Sequence, residues 1–181
     1  MASDFIYISI PRTGSTSIRS ILPQIDDENH KSINLIFRKG FSFGFVRNPF
    51  ELLVSWHQYH KQHQKQEVYN KAFLNWVFEG CPHHWTPDFL KSRGITHPLN
   101  QHEYLCDSEG KIIVDFVGRF ETLQKDFSFV CQKIGFNSSN VPYKNNSQHN
   151  SWESYYTPKA IAFVQNKFKK DFQIFNFKKY V

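Results

Sequence analysis

The sequence predicts an α/β fold built on a short, mainly parallel sheet. Three strand-like runs, at residues 4–10, 41–47 and 111–118, alternate with segments of helical period, the pattern of βαβ units. The first two runs lead straight into residues suited to start a helix. No internal repeat or low-complexity linker divides the chain, and 181 residues suit a single domain over 1–181.

The elements follow in order. Residues 4–10 (DFIYISI) are rich in β-branched and aromatic side chains and read as a buried strand. Gly14 with Ser15, Thr16 and Ser17 forms a turn into a helix running to about Leu22, before Pro23. Residues 41–47 (FSFGFVR) give a second strand. Asn48 as N-cap and Pro49 as first helical residue open a helix that reaches the Gln/His-rich stretch near 64. Its apolar stripe is Leu52, Leu53, Trp56 and Tyr59. A further helix is expected over 67–79. The stretch 80–100 holds Pro82, Pro87, Gly94 and Pro98 and reads as an ordered irregular loop. Residues 111–118 (KIIVDFVG) supply a third strand, and 121–134 a helix stopped by Gly135. After a polar loop, Thr157 and Pro158 cap the last helix, with Ala160, Ile161, Val164 and Phe168 as its buried stripe.

Composition narrows the function. Hydrophobic residues are 40% and charged residues 21% of the chain, which excludes a disordered profile. Nineteen Phe, eight Tyr and four Trp suffice for a dense aromatic core. No apolar run approaches the ~20 residues of a membrane span, and the first residues lack the pattern of a signal peptide. Cys81, Cys106 and Cys131 are odd in number and widely spaced, so a reducing, cytoplasmic setting is expected. Adjacent His83 and His84 near Cys81 diverge and show no fourth ligand, so no metal is expected. The formal charge of +6 favours an anionic partner. Lys167, Lys169, Lys170, Lys178 and Lys179 are interrupted by phenylalanines and read as the wet face of a terminal helix and strand.

Two constellations suggest which anion. PRTGSTS (11–17) sits between strand and helix. There, successive backbone N–H groups and the helix dipole favour a phosphate or sulfate. Gly14 permits close approach, and Arg12, Thr13, Ser15, Thr16 and Ser17 can add donors. A nucleotide P-loop is excluded as the match, since the sole Gly-Lys pair is Gly110–Lys111, followed by Ile112. The same residues also fit a plain tight turn. In the second unit, FGFVRNPFELLVSWHQY (43–59), Arg47 ends a strand and Ser55 follows two helical turns on. Ligands of open α/β sheets gather beyond strand C-termini, and arginine offers a donor fork suited to phosphate. The alternative is that Arg47 pairs with Glu51. Two anion-binding turns on one sheet edge imply a ligand with two separated anionic groups.

These residues carry a resemblance. PRTGSTS resembles the 5′-phosphosulfate loop of sulfotransferases that use 3′-phosphoadenosine-5′-phosphosulfate (PAPS), and FVRNPFELLVS (45–55) resembles their 3′-phosphate motif. VDFVGRFETLQKDF (114–127) and YYTPKAIAFVQNKFKKDFQIF (155–175) resemble segments of the carbohydrate branch of that family, of the heparan and chondroitin type. The resemblance implies a three-layer P-loop-like fold. It implies that residues 12–17 wrap the phosphosulfate and that Arg47 and Ser55 bind the 3′-phosphate. Arg12 then acts electrostatically on the leaving phosphate, because arginine stays protonated. It further implies that Phe120 lies near the adenine and that the loop Lys144–Ser147, with Asn146 and Ser147, closes over the cofactor. No metal is implied.

Sulfuryl transfer needs a base for the acceptor's proton. His30, in ENHKSINLIF (28–37), lies between the two motifs, and its run resembles the stretch carrying the catalytic histidine in uronosyl 2-O-sulfotransferases. It equally fits a histidine in a polar turn. His57, His60, His97 and Glu103 are the other candidates for base or acceptor ligand. PLNQHEYL (98–105) resembles an acceptor-side segment. The expected activity is transfer of a sulfuryl group to a hydroxyl of a glycan or other small-molecule alcohol, with no nucleic-acid partner and no membrane insertion. A nucleotide kinase, a basic nucleic-acid-binding module and a nucleotide-binding protein without catalysis are the rivals.

Overall fold

The computed structural model of the protein describes residues 5–22, 30–36, 39–63, 67–137, 141–142 and 150–180. Three parallel strands, β1 (Phe5–Ile8), β2 (Phe41–Val46) and β3 (Phe116–Arg119), lie in the order β1-β2-β3. Phe5 pairs with Phe41, and Phe43 with Phe116. The central strand β2 is buried at every position after Phe41, as a parallel strand covered on both faces must be. Its alternation assigns the faces. Phe43 and Phe45 join Tyr7 in one apolar cluster, while Val46 joins Ile6 and Ile8 in the other.

The helices complete the layers. α1 (Ser15–Arg19) and α6 (Leu123–Ile134) cover the first face through Ile18, Phe127, Val130 and Ile134. The second face receives α2 (Pro49–Gln62), α3 (Phe73–Phe78), α5 (His102–Leu105), α7 (Pro158–Lys167) and α8 (Lys169–Ile174). Glycines set the closest approaches. A Cβ on Gly44 would lie 2.6 Å from Leu105 Cδ2, and one on Gly118 would lie 2.4 Å from the Phe45 ring, so a side chain there would push neighbours off the sheet.

Caps fall where the sequence puts them at three helices. Asn48 Oδ1 accepts from Phe50 N at 3.0 Å, Thr157 Oγ1 accepts from Ala160 N at 3.3 Å, and α6 stops at Gly135 in the left-handed region, φ 70°. Four expectations are corrected. The 80–100 stretch is not wholly irregular: α4 (Pro87–Arg93) starts where Thr86 Oγ1 accepts from Phe89 N at 3.2 Å and ends at Gly94. The 67–79 segment is a 3₁₀ turn (Glu67–Tyr69) followed by α3. The third strand begins at Phe116, because Ile112 is drawn into an antiparallel bridge with Cys106 and Asp115 is spent on Ser42. Beyond α8, residues 175–180 form no strand; they return to the core through Phe175 and Phe177, and the lysines beside them are exposed. Among the described residues no helix is long and apolar enough to cross a membrane.

Candidate active site

β1 and β2 are neighbours, so the turns that leave them open on the same edge of the sheet. A cavity of about 610 Å³ lies there, within the size of small-molecule sites. Its lining includes Arg12, Gly14, Ser15, Thr16, Ser17, His30, Arg47, Ser55 and Phe120. Thus residues more than a hundred positions apart meet in one space rather than in two distinct pockets.

The cationic end is built from both turns. Arg12 Nε donates to Ser55 Oγ at 3.1 Å, and its guanidinium stacks 4.2 Å from the Tyr59 ring. Arg47 Nη1 donates to the Arg12 carbonyl at 3.3 Å, while its guanidinium lies 4.1 Å over Phe120. The pairing with Glu51 that the sequence left open is present: Arg47 Nε meets Glu51 Oε2 at 3.3 Å. Burial and the neighbouring charge of Arg47 push Arg12 down to about 10. Burial also lowers Arg47, against the pull of Glu51. Both arginines remain charged near neutrality, each at a cost that a bound anion would offset.

The backbone around them is held from afar. Gln101, fully buried, accepts from Arg47 N at 2.7 Å and donates to Arg47 O at 2.8 Å. Gln101 N and His102 N both donate to the buried Asp171 carboxylate at 2.9 Å. Gly14 stands at φ 87°, and a Cβ there would lie 2.9 Å from Leu123 Cδ2, so only glycine fits this turn. Thr13 is the one member of 12–17 that does not reach the cavity. It is fully buried, and its hydroxyl donates to Ile10 O at 2.9 Å, tying the turn to the end of the strand.

The candidate bases separate by position. His30 lines the cavity, with Nδ1 2.9 Å from Ser9 O and its ring 5.6 Å from Trp85. Burial, aided by Arg19 and Arg93, lowers it to about 4. His60 also lines the cavity, stacked on Tyr69 at 4.7 Å. His57 does not: Nε2 bonds Lys71 O at 3.1 Å and the ring packs among Phe73 and Trp76. His97 spends both nitrogens on the backbone, at Cys81 O and Leu99 N, each at 3.2 Å. Glu103 accepts from Thr96 and Asn100 and faces a second cavity, of about 810 Å³, that includes His102. Asn146 and Ser147 lie outside the described residues.

Several lining residues escaped the sequence reading as site residues: Trp56, His84, Trp85, Glu121 and Gln124. Trp56 was visible only as part of an apolar stripe. His84 and Trp85 come from a loop that spacing alone does not direct anywhere. Among the described residues no group of three or more His, Cys, Asp and Glu could hold a metal ion.

The model of the sulfotransferase family matches residues 2–178. An uncharacterised protein of Archaeoglobus fulgidus is 34% identical over 93 residues, covering 51% of this chain and 66% of the relative, just under two thirds of that protein's own length. No solved structure matches the chain.

Proposed function

The chain belongs to the sulfotransferase family, and on that premise we propose that it moves a sulfuryl group from PAPS to a hydroxyl of a carbohydrate or other small alcohol. One observation carries the reading: half-buried Arg12 and buried Arg47, from the turns that follow two adjacent parallel strands, converge in one cavity beside a glycine turn. Such a site favours a ligand with more than one anionic group. The donor brings a sulfuryl group already joined to a good leaving phosphate.

The chain's own residues then divide the work. The turn 14–17 and the first turn of α1 hold the phosphosulfate, and Arg47 with Phe120 holds the nucleoside end carrying the 3′-phosphate. Ser55, one hydrogen bond from Arg12, links the two regions. Arg12 stabilises charge that grows on the oxygen leaving sulfur. His30 accepts the acceptor's proton at Nε2 while a bond forms from the acceptor oxygen to sulfur and the bond from sulfur to the phosphate oxygen breaks. The products are the sulfate ester and adenosine 3′,5′-bisphosphate, with the proton on His30. Ser9 O supports this role, because a carbonyl accepts only. It keeps hydrogen on Nδ1 and leaves the lone pair on Nε2. A bound polyanion raises the affinity of this imidazole for a proton from its low resting value.

The test is transfer of labelled sulfate from PAPS across a panel of glycans, phenols and small alcohols, with melting shifts measured beside it. Adenosine 3′,5′-bisphosphate should raise the melting temperature and one acceptor class should become labelled. A shift from ATP–Mg²⁺ alone, with no label transferred, would reject the proposal in favour of a kinase.

A further inference from the structure

Contacts along α2 order one wall of the cavity. Ser55 and Tyr59 form one row of the helix, one turn apart, and Trp56 with His60 forms the next. Arg12 lies on the first row, bonded to Ser55 and stacked on Tyr59. His84 lies on the second, its ring centroid 6.1 Å from Trp56 and 4.7 Å from His60. Trp85 follows, 5.9 Å from Trp56 and 5.6 Å from His30. Arg12, His84 and His30 all line the cavity, and Trp85 links the Trp56 side of the wall to His30.

Hydrogen bonds behind the wall set the chemistry of His84. Trp56 Nε1–H, which can only donate, bonds Tyr69 Oη at 3.1 Å. The His84 backbone N–H acts on the same oxygen. Tyr69 is fully buried, and its one proton points to His84 Nδ1 at 3.0 Å. Nδ1 thus accepts, so the neutral His84 ring carries its hydrogen on Nε2. His30 is set the other way, with hydrogen on Nδ1 held by Ser9 O. One cavity holds two histidines in opposite tautomers, one a donor and one an acceptor.

Resting on the sulfuryl-transfer reading above, we propose that His84 donates a hydrogen bond from Nε2 to an oxygen of the sulfuryl group as it passes between the Arg12 end and the His30 end of the cavity. In-line displacement puts leaving oxygen, sulfur and attacking oxygen on one line. His84 shares the cavity with both the leaving-group cation and the base. There a fixed N–H donor steadies charge on the sulfuryl oxygens without competing for the acceptor's proton.

The experiment needs no acceptor. Calorimetry measures PAPS and adenosine 3′,5′-bisphosphate binding to wild type, His84→Phe, His84→Gln and Tyr69→Phe, with circular dichroism verifying each fold. His84→Phe keeps a ring but removes the donor, and should weaken PAPS about tenfold, the scale of one hydrogen bond to a charged group, while leaving the bisphosphate unchanged. His84→Gln returns an N–H and should recover most of the loss. Tyr69→Phe frees the ring to change tautomer and should fall between. Equal weakening of both nucleotides, or no change for PAPS, overturns the inference. Wild type that binds neither nucleotide instead removes the sulfuryl-transfer reading itself and the inference with it, so the two failures are distinct.

Discussion

Removing the Arg47 guanidinium by Arg47→Ala tests the assignment of the two ends of the cavity. Arg47 is 8% exposed, and its side chain makes three contacts that a bound nucleotide would complete: Glu51, the Arg12 carbonyl and the Phe120 ring. A hydrogen bond to a charged group contributes about 1.5–3 kcal/mol, so adenosine 3′,5′-bisphosphate should bind about 10- to 150-fold more weakly. The loss should lie toward the upper end, because Glu51 keeps its charge and would repel the phosphate once its partner is gone. Adenosine 5′-phosphosulfate lacks the 3′-phosphate and should bind almost as before. Calorimetry with both nucleotides at two salt concentrations reads the difference, and the charge-dependent part should shrink as salt rises. Glu51→Gln is the mirror image: the bisphosphate should bind more tightly, while the protein melts lower because a buried arginine has lost its carboxylate. Equal loss for both nucleotides in Arg47→Ala would refute the placement of the 3′-phosphate.

Four further outcomes follow from the geometry. His30→Ala should cut turnover strongly with little change in bisphosphate affinity, whereas near-normal turnover would move the base to His60. With His30 held at about 4, below the ordinary 6.5, the acid limb of kcat/KM should lie below that of a free imidazole; a limb near 6.5 or higher in the free enzyme contradicts this burial. His30, His57 and His97 are all lowered in the fold, to about 4, 4 and 3. The unfolded chain therefore takes up protons first, and stability should fall as pH drops from about 6.5 toward 4. His57→Gln should reduce that slope in melting curves. Gly14→Ala adds a Cβ 2.9 Å from Leu123 Cδ2 at φ 87°. It should cost roughly 1–2 kcal/mol in denaturant unfolding and weaken PAPS, and a fully stable variant with unchanged affinity would contradict the packing.

Local grammar carried much of the fold. Asn48–Pro49, Thr157–Pro158 and Gly135 marked helix ends because capping is decided by neighbours in the chain. The same signals stood at Thr86–Pro87 and Gly94, yet Pro82 and Pro98 on either side masked a seven-residue helix. KIIVDFVG looked like one strand because a continuous apolar run does not reveal where pairing starts. Only the bridge of Ile112 to Cys106 and the bonds of Asp115 to Ser42 show that the sheet begins later. In the site, Arg12 and Arg47 were legible from strand ends. His84 was not, since the role proposed for it depends on Tyr69 and Trp56, 15 and 28 positions away, meeting in three dimensions.

The site is also strained at two residues proposed for its chemistry. Arg12 and His30 adopt φ values of 63° and 62°, a region that costs a non-glycine residue about 1–2 kcal/mol. A strained turn persists only when its surroundings over-determine it. At Arg12 they do so by giving each part of the residue a partner: its carbonyl receives Arg47 Nη1, its Nε reaches Ser55, and its guanidinium rests on Tyr59. Arg47 is fixed in turn through Gln101, which Asp171 anchors from α8. The last helix therefore holds an arginine that follows the second strand, and through it the turn after the first. A small sheet keeps two like charges together because the constraint comes from the far end of the chain. The rigidity that makes the pair unfavourable without an anion is the same rigidity that leaves little reorganisation to be done when one binds.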